Sequence, residues 1–274
     1  MIRITKTIWL SMVLACLLLQ TSVLAFQNNV GIDPDALIER ILMVEAEQYN
    51  AIDDVTFDVT SMEGEMKDNE GFVEKERFDK KIYLKHLPDT VLYYEEYLAY
   101  YKDGEQKEEK DLRKAEKDRR EKRKKRKAMD ISYRMVTPFM PEHRDQYEIK
   151  YLGVSAEPIE GYLSHTFQVT AKEEAEGLIN GTFYFDAESF HLVRVDFSPA
   201  KLVKKTMFKL KSLAMSMICE PTPDGYWFPS TFEIEGKGKA AFFIGVSFAG
   251  REYYRNPTIN SSVDQSLFEV ADND

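Results

Sequence analysis

From 147 to 254 apolar and polar residues alternate almost without a break, and a period of two is the signature of strands with one buried face. Tyr147, Ile149 and Tyr151 alternate, then Leu163, His165, Phe167 and Val169, then Ile179, Phe183 and Phe185, then Val193, Val195 and Phe197. Further runs lie at 206–218, 228–235 and 239–254. Turn-forming residues at 158–161, 186–189 and 221–225 separate these runs, so the strands fold back as antiparallel hairpins. Upstream, Val55, Phe57 and Val59 begin another strand, Asp68, Asn69, Glu70 and Gly71 supply a turn, and a return run extends from Phe72 to Leu84. A tyrosine-rich strand follows over 91–101. Before all of these, Asp33 and Pro34 offer an N-cap and a proline at the first helical position. Leu37, Ile38, Ile41, Leu42 and Val44 follow at helical spacing, giving a helix that ends near Asn50. The pattern specifies a mainly β protein with α: a curved antiparallel sheet packed with an N-terminal helix, plus one long charged helical insertion. The sheet domain spans 26–260, and a polar, acidic, loosely held tail occupies 261–274.

The first 25 residues read as a secretory leader. Arg3 and Lys6 precede an apolar stretch from Ile8 to Leu19, and Val23 and Ala25 supply a cleavage pattern. The apolar stretch is well short of the ~20 residues that span hydrocarbon. The expectation is an exported, periplasmic chain, with lipidation at Cys16 as the alternative that would anchor it. Cleavage leaves Cys219 alone, in an apolar run, as a buried thiol without a disulfide partner.

Charge is concentrated in one segment. Between 105 and 127 there are 13 Lys or Arg against 7 Asp or Glu, whereas the whole chain carries −10. An acidic body repels polyanions, which excludes a nucleic-acid partner. Glu109 with Arg113, Glu116 with Arg120 and Glu121 with Lys125 stand in the i,i+4 orientation that supports a helix. Leu112 and Ala115 are the segment's only usual core residues, so it reads as a solvent-exposed helix or a frayed linker. Two readings of its role stand: a solvated insertion, or a foot whose Arg119, Arg120, Lys122, Arg123, Lys124, Lys125, Arg126 and Lys127 meet an anionic membrane or an acidic partner.

No catalytic or metal-ligating constellation occurs at a usable spacing, so no enzyme activity and no cofactor are expected. His86, His143, His165 and His191 are isolated from one another, and the last two fall on apolar strand faces, where packed histidines belong. There is no nucleophile elbow, phosphate loop or dinucleotide fingerprint. What stands out is aromatic content, 17 Phe and 15 Tyr. Either a plain core or an apolar concave surface absorbs it.

The order of leader, helix and β-run, then Pro138-Phe139-Met140-Pro141, the run Tyr147 to Gly153, Ile159-Glu160-Gly161-Tyr162, Gly181 to Asp186 and Leu192-Val193-Arg194-Val195 resembles the outer-membrane lipoprotein-sorting, LolA-like superfamily. The resemblance covers most of the mature chain. It implies an incomplete β-barrel closed by helices, whose apolar cavity receives lipid or lipoprotein acyl chains without covalent chemistry. Acyl chains gain roughly 0.8 kcal/mol per buried methylene. On that reading Leu37 and Ile41 belong to a lid helix, and the inward positions Phe167, Phe183, Phe185, Val193, Val195, Phe197 and Phe232 line the cavity. The superfamily's stress-regulator branch implies an alternative, a non-carrier envelope sensor or interaction protein on the same scaffold.

Overall fold

The computed structural model describes residues 32–67, 70–87, 90–125, 137–202, 204–205, 208–241 and 244–268. The expected leader with Cys16, and Arg126 and Lys127, lie outside the described residues.

Helix α1 runs over Pro34–Ala51, one residue past its expected end. The Asp33 carboxylate accepts from the Asp35 N–H at 3.0 Å, satisfying one of the free donors of the first turn. Leu37, Ile38, Ile41 and Val44 are its buried stripe. Strands β1 (Asp54–Lys67), β2 (Gly71–Leu87), β3 (Thr90–Lys102) and β4 (Glu105–Gln106) follow. Helix α2 spans Glu109–Lys125, a 3-10 turn Thr137–Phe139, and a short helix α3 Pro141–Arg144. The remaining strands are β5 (Tyr147–Val154), β6 (Ser164–Ala171), β7 (Ile179–Asp186), β8 (Leu192–Pro199), β9 (Lys204–Lys205), β10 (Phe208–Pro221), β11 (Trp227–Ala240) and β12 (Ile244–Ile259).

These strands form one antiparallel sheet in the order β4-β3-β2-β1-β12-β11-β10-β8-β7-β6-β5, with β9 beside β10. The outermost strands, β4 and β5, do not pair, so the barrel is incomplete as expected. The N-terminal strand β1 lies in the middle, hydrogen-bonded to both β2 and β12. That placement joins an N-terminal hairpin to the C-terminal meander through a contact between residues about 200 apart in sequence, such as Val55 and Ile259.

Paired residues on antiparallel neighbours point to the same side. Their register therefore links Tyr151, Phe167, Phe183, Val195, Met217, Phe232, Glu252, Ser61, Phe78 and Tyr100 into one row across ten strands. This row defines the inner face. Three clusters build the core on it. The first packs Leu37, Ile38 and Ile41 of α1 on Phe167, Phe183, Phe185, Val195 and Met217. The second joins Ile52, Val55, Phe57, Ile82, Leu84 and Phe228, and the third joins Phe78, Tyr97, Tyr100 and Leu112.

Three expectations are corrected. The segment at 105–127 is neither fully solvated nor frayed where it is described: α2 docks on β3 through Leu112, only 3% exposed, with Ala115 beside it. The C-terminal tail is held over 261–268. The Asp54 carboxylate accepts from the N–H groups of Ser261 and Val263, Lys85 donates to the Val263 carbonyl, and Val263 and Phe268 are buried. The last long strand begins at Ile244, not near 239, because the chain reverses after Ala240. Ala241 takes the left-handed φ of 46° there, a turn that its sequence does not announce.

Candidate functional site

The inner face is where the fold gathers the expected binding residues. Phe167, Phe183, Phe185 and Val195 belong to the first cluster and are fully buried. Val193 is also fully buried, at the irregularity where Phe185 faces Leu192 and Tyr184 faces Arg194. Leu37 and Ile41 cover this half from α1. Phe139, missed as a site residue, completes the cover: its ring meets those of Phe167, Phe183 and Phe185 edge-on, with centroids 5.4, 5.1 and 5.5 Å away. Pro138 before it and Pro141 after it confine the chain there to a turn. The space over these rings is thus filled by side chains.

Phe197 and Phe232 are different. They pack against the edge of the first cluster and remain partly exposed. Beyond them the register continues the inner face as Met215 with Ile234 and Leu213 with Gly236, all apolar. Val246 and Phe248 pair with Gly238 and Gly236 on the next strand. Leu213, Met215, Ile234, Val246 and Phe248 are each partly exposed. The Phe248 ring lies where a side chain on Gly236 would begin, so glycine is what lets the ring lie flat on the sheet. An apolar strip therefore runs on from the covered half across β8, β10, β11 and β12.

A buried polar island lies on the inner face. Lys80 Nζ donates to Glu95 Oε1 at 2.7 Å and to Glu252 Oε1 at 3.0 Å. The Tyr93 and Tyr97 hydroxyls donate to the Glu95 carboxylate and the Tyr254 hydroxyl to Glu252. Burial alone would push the Lys80 ammonium down, but Glu252 and Glu95 outweigh it and hold it well above the usual lysine range. Burial likewise pushes the Glu252 carboxyl up, and Lys80 with Tyr254 brings it below its ordinary value. The sequence carries a faint signal for this island: Lys80-Lys81 and Glu95-Glu96 are like pairs inside strands, so one member of each must face inward.

The basic residues of α2 divide. Arg119 lies over the Phe78 ring at 4.0 Å and pairs with Glu63 at 2.9 Å. Arg120 pairs with Glu116 at 2.7 Å and donates to the Glu95 carbonyl. Both are turned onto the protein's own sheet. Of Lys122, Arg123, Lys124 and Lys125 only the backbone is described.

His165 of β6 and His191, just before β8, both pack as expected. His165 stacks on Phe190 and its Nδ1 lies 3.0 Å from the Tyr151 hydroxyl, while His191 stacks on Trp227. Burial pushes both imidazoles below their ordinary value, with Asp186 opposing it only in part. Cys219 is buried in the first cluster, and burial pushes its thiol far up. Among the described residues, no group of three His, Cys, Asp or Glu side chains is placed to hold a metal ion. Two open grooves, of about 630 and 370 Å³, lie on the outer face around Tyr83 and Leu267 and around Tyr184 and Arg194. Neither reaches the inner-face residues.

No family model and no curated protein matches the sequence. Solved structures do. A DUF1329 family protein from Desulfovibrio piger is similar over 85% of this chain and 95% of its own, at 11% identity and a TM-score of 0.43. A putative outer membrane lipoprotein-sorting protein domain from Vibrio parahaemolyticus is similar over 85% and 99%, at 12% identity and 0.39. A LolA superfamily protein from Nitrosomonas europaea is similar over 83% and 96%, at 8% identity and 0.35. Among the described residues no helix is long and apolar enough to cross a membrane.

Proposed function

We propose that this chain is an exported, periplasmic binding protein, not an enzyme, that holds lipid or lipoprotein acyl chains non-covalently against the inner face of its open sheet. The observation that carries the reading is the continuity of that face. A covered apolar half under α1 and Phe139 runs without a polar break into the partly exposed strip of Phe197, Phe232, Met215 and Ile234. An acyl chain lying along the strip removes apolar area from water on both surfaces. Displacement of α1, whose Leu37 and Ile41 sit on Phe167 and its neighbours, would extend the site into the covered half. The leader expected at 1–25 supports export.

The close packing of Leu37, Ile41 and Phe139 on the covered half favours a second reading, a non-carrier sensor or interaction protein whose core stays closed. Native mass spectrometry of the protein purified from its own envelope separates the two. The binding reading predicts mass increments of acyl lipid, which Ile234→Asp removes while leaving the circular dichroism spectrum unchanged. Bare protein that also fails to take up a fluorescent fatty acyl ester sinks it in favour of the closed core.

A further inference from the structure

Strand β5 is the last strand at its end of the sheet, so one row of its backbone donors and acceptors faces away from β6. Which residues carry that row follows from the ladder. The Lys172 N–H donates to the Gln146 carbonyl at 2.9 Å, and the register sets Tyr147 opposite Ala171 and Ile149 opposite Val169. Bonded positions alternate along an antiparallel pair. Glu148 and Lys150 therefore turn their backbone groups to β6, and Tyr147, Ile149 and Tyr151 turn theirs to the open edge. That edge has two ends. Helix α3 stops at Arg144, just before the strand, and the register shifts between Tyr151 and Gly153, leaving Leu152 unpaired and 48% exposed. The regular stretch between these ends is 147–151, and its centre is Ile149.

An open edge accepts another strand through its backbone, and the side chains decide which strand fits. Glu148 and Lys150 are both exposed, two positions apart on the outer face. A second copy laid antiparallel about a twofold axis through Ile149 meets Glu148 with its Lys150 and Lys150 with its Glu148. These are non-hydrogen-bonded pairs, in which opposed side chains stand closest. The edge residues meet as Ile149 with Ile149 and Tyr147 with Tyr151, and each such pair exchanges both backbone bonds. Moving the axis by one residue sets Glu148 opposite Glu148 or Lys150 opposite Lys150, so like charges oppose either slip. We propose that β5 pairs in this register with β5 of a second copy, making a symmetric dimer. Ile149 and Tyr151, partly buried beside the first cluster, then meet their counterparts, and the inner face of one copy continues into that of the other. The paired stretch is short, so the association is concentration-dependent. It does not depend on what the inner face binds.

Sedimentation velocity of the purified protein over a range of concentrations tests it, with amide exchange followed by NMR on the same samples. The expected result is a monomer–dimer equilibrium in which exchange at Tyr147, Ile149 and Tyr151 slows as concentration rises. Exchange at Glu148 and Lys150, already bonded to β6, stays unchanged. Glu148→Lys and Lys150→Glu each turn both cross-copy pairs into like charges and are expected to weaken dimerisation about tenfold. An equal mixture of the two variants restores opposite charges at both pairs and is expected to dimerise as the unaltered protein does. Should either variant fail to fold, the alternating amide protection of the unaltered protein decides. Monomers at every concentration overturn the proposal and leave the edge to an extended segment of another protein. Dimers that neither substitution weakens, or that protect amides only outside β5, overturn it as well.

Discussion

At the scale of single residues, the buried histidines link the core beneath α1 to pH. Burial lowers the affinity of His165 and His191 for protons in the folded chain. The unfolded chain binds those protons at about pH 6.5. Stability contributed by the neutral rings is therefore complete above that pH and is lost as pH falls below it. A urea midpoint that drops between about pH 7.5 and 5.5, with the drop reduced in a His165→Asn, His191→Asn variant, is the expected result. An unchanged midpoint contradicts it. The packed state of these two histidines was legible from their apolar strand neighbours. The role of Phe139 was not, because its three ring partners come from β6 and β7 and nothing local marks a phenylalanine between two prolines as a plug. Nor was the pairing of Lys80 with Glu252, which lie 172 residues apart.

Among elements, α1 was legible nearly to its ends because capping and apolar spacing agree: Asp33, Pro34 and the Leu37, Ile38, Ile41, Val44 stripe all specify the same helix. In α2 the same kind of reading found the helix and missed its docking. Charge pairs such as Glu109 with Arg113, 2.7 Å apart, support the helix locally. Leu112 and Ala115, three positions apart on one face, decide where it sits, and two apolar residues give too narrow a stripe to read as amphipathic. The attachment is accordingly small and specific. Leu112→Glu should release α2, seen as hydrogen exchange rising across 109–125 while the amides of β1 and β12 stay protected. Protection retained in α2 would show that the Arg119 and Arg120 contacts hold it without Leu112. The β11–β12 boundary was misplaced for a simple reason: Gly236 and Ala241 are placed by the Phe248 ring and a tight reversal, neither of which has a composition of its own.

For the molecule as a whole, alternation fixed which residues face inward, and register then determined how far that face extends. The inward set from Phe167 to Phe232 was readable strand by strand. Its union with Ser61, Phe78 and Tyr100 was not, since it depends on β1 entering the middle of the sheet between β2 and β12. That insertion turns two hairpin systems into one continuous inner face, covered at one end by α1 and Phe139 and at the β3 end by α2. The central claim is that this face, and not the outer grooves, meets the ligand. Photolysis of the protein with a diazirine-bearing monoacylglycerol, followed by peptide mapping, tests it most directly. The account predicts adducts on β8, β10 and β11, centred on Phe197, Met215 and Ile234. Adducts confined to the outer-face grooves around Leu267 or Arg194, or none at all, would contradict it.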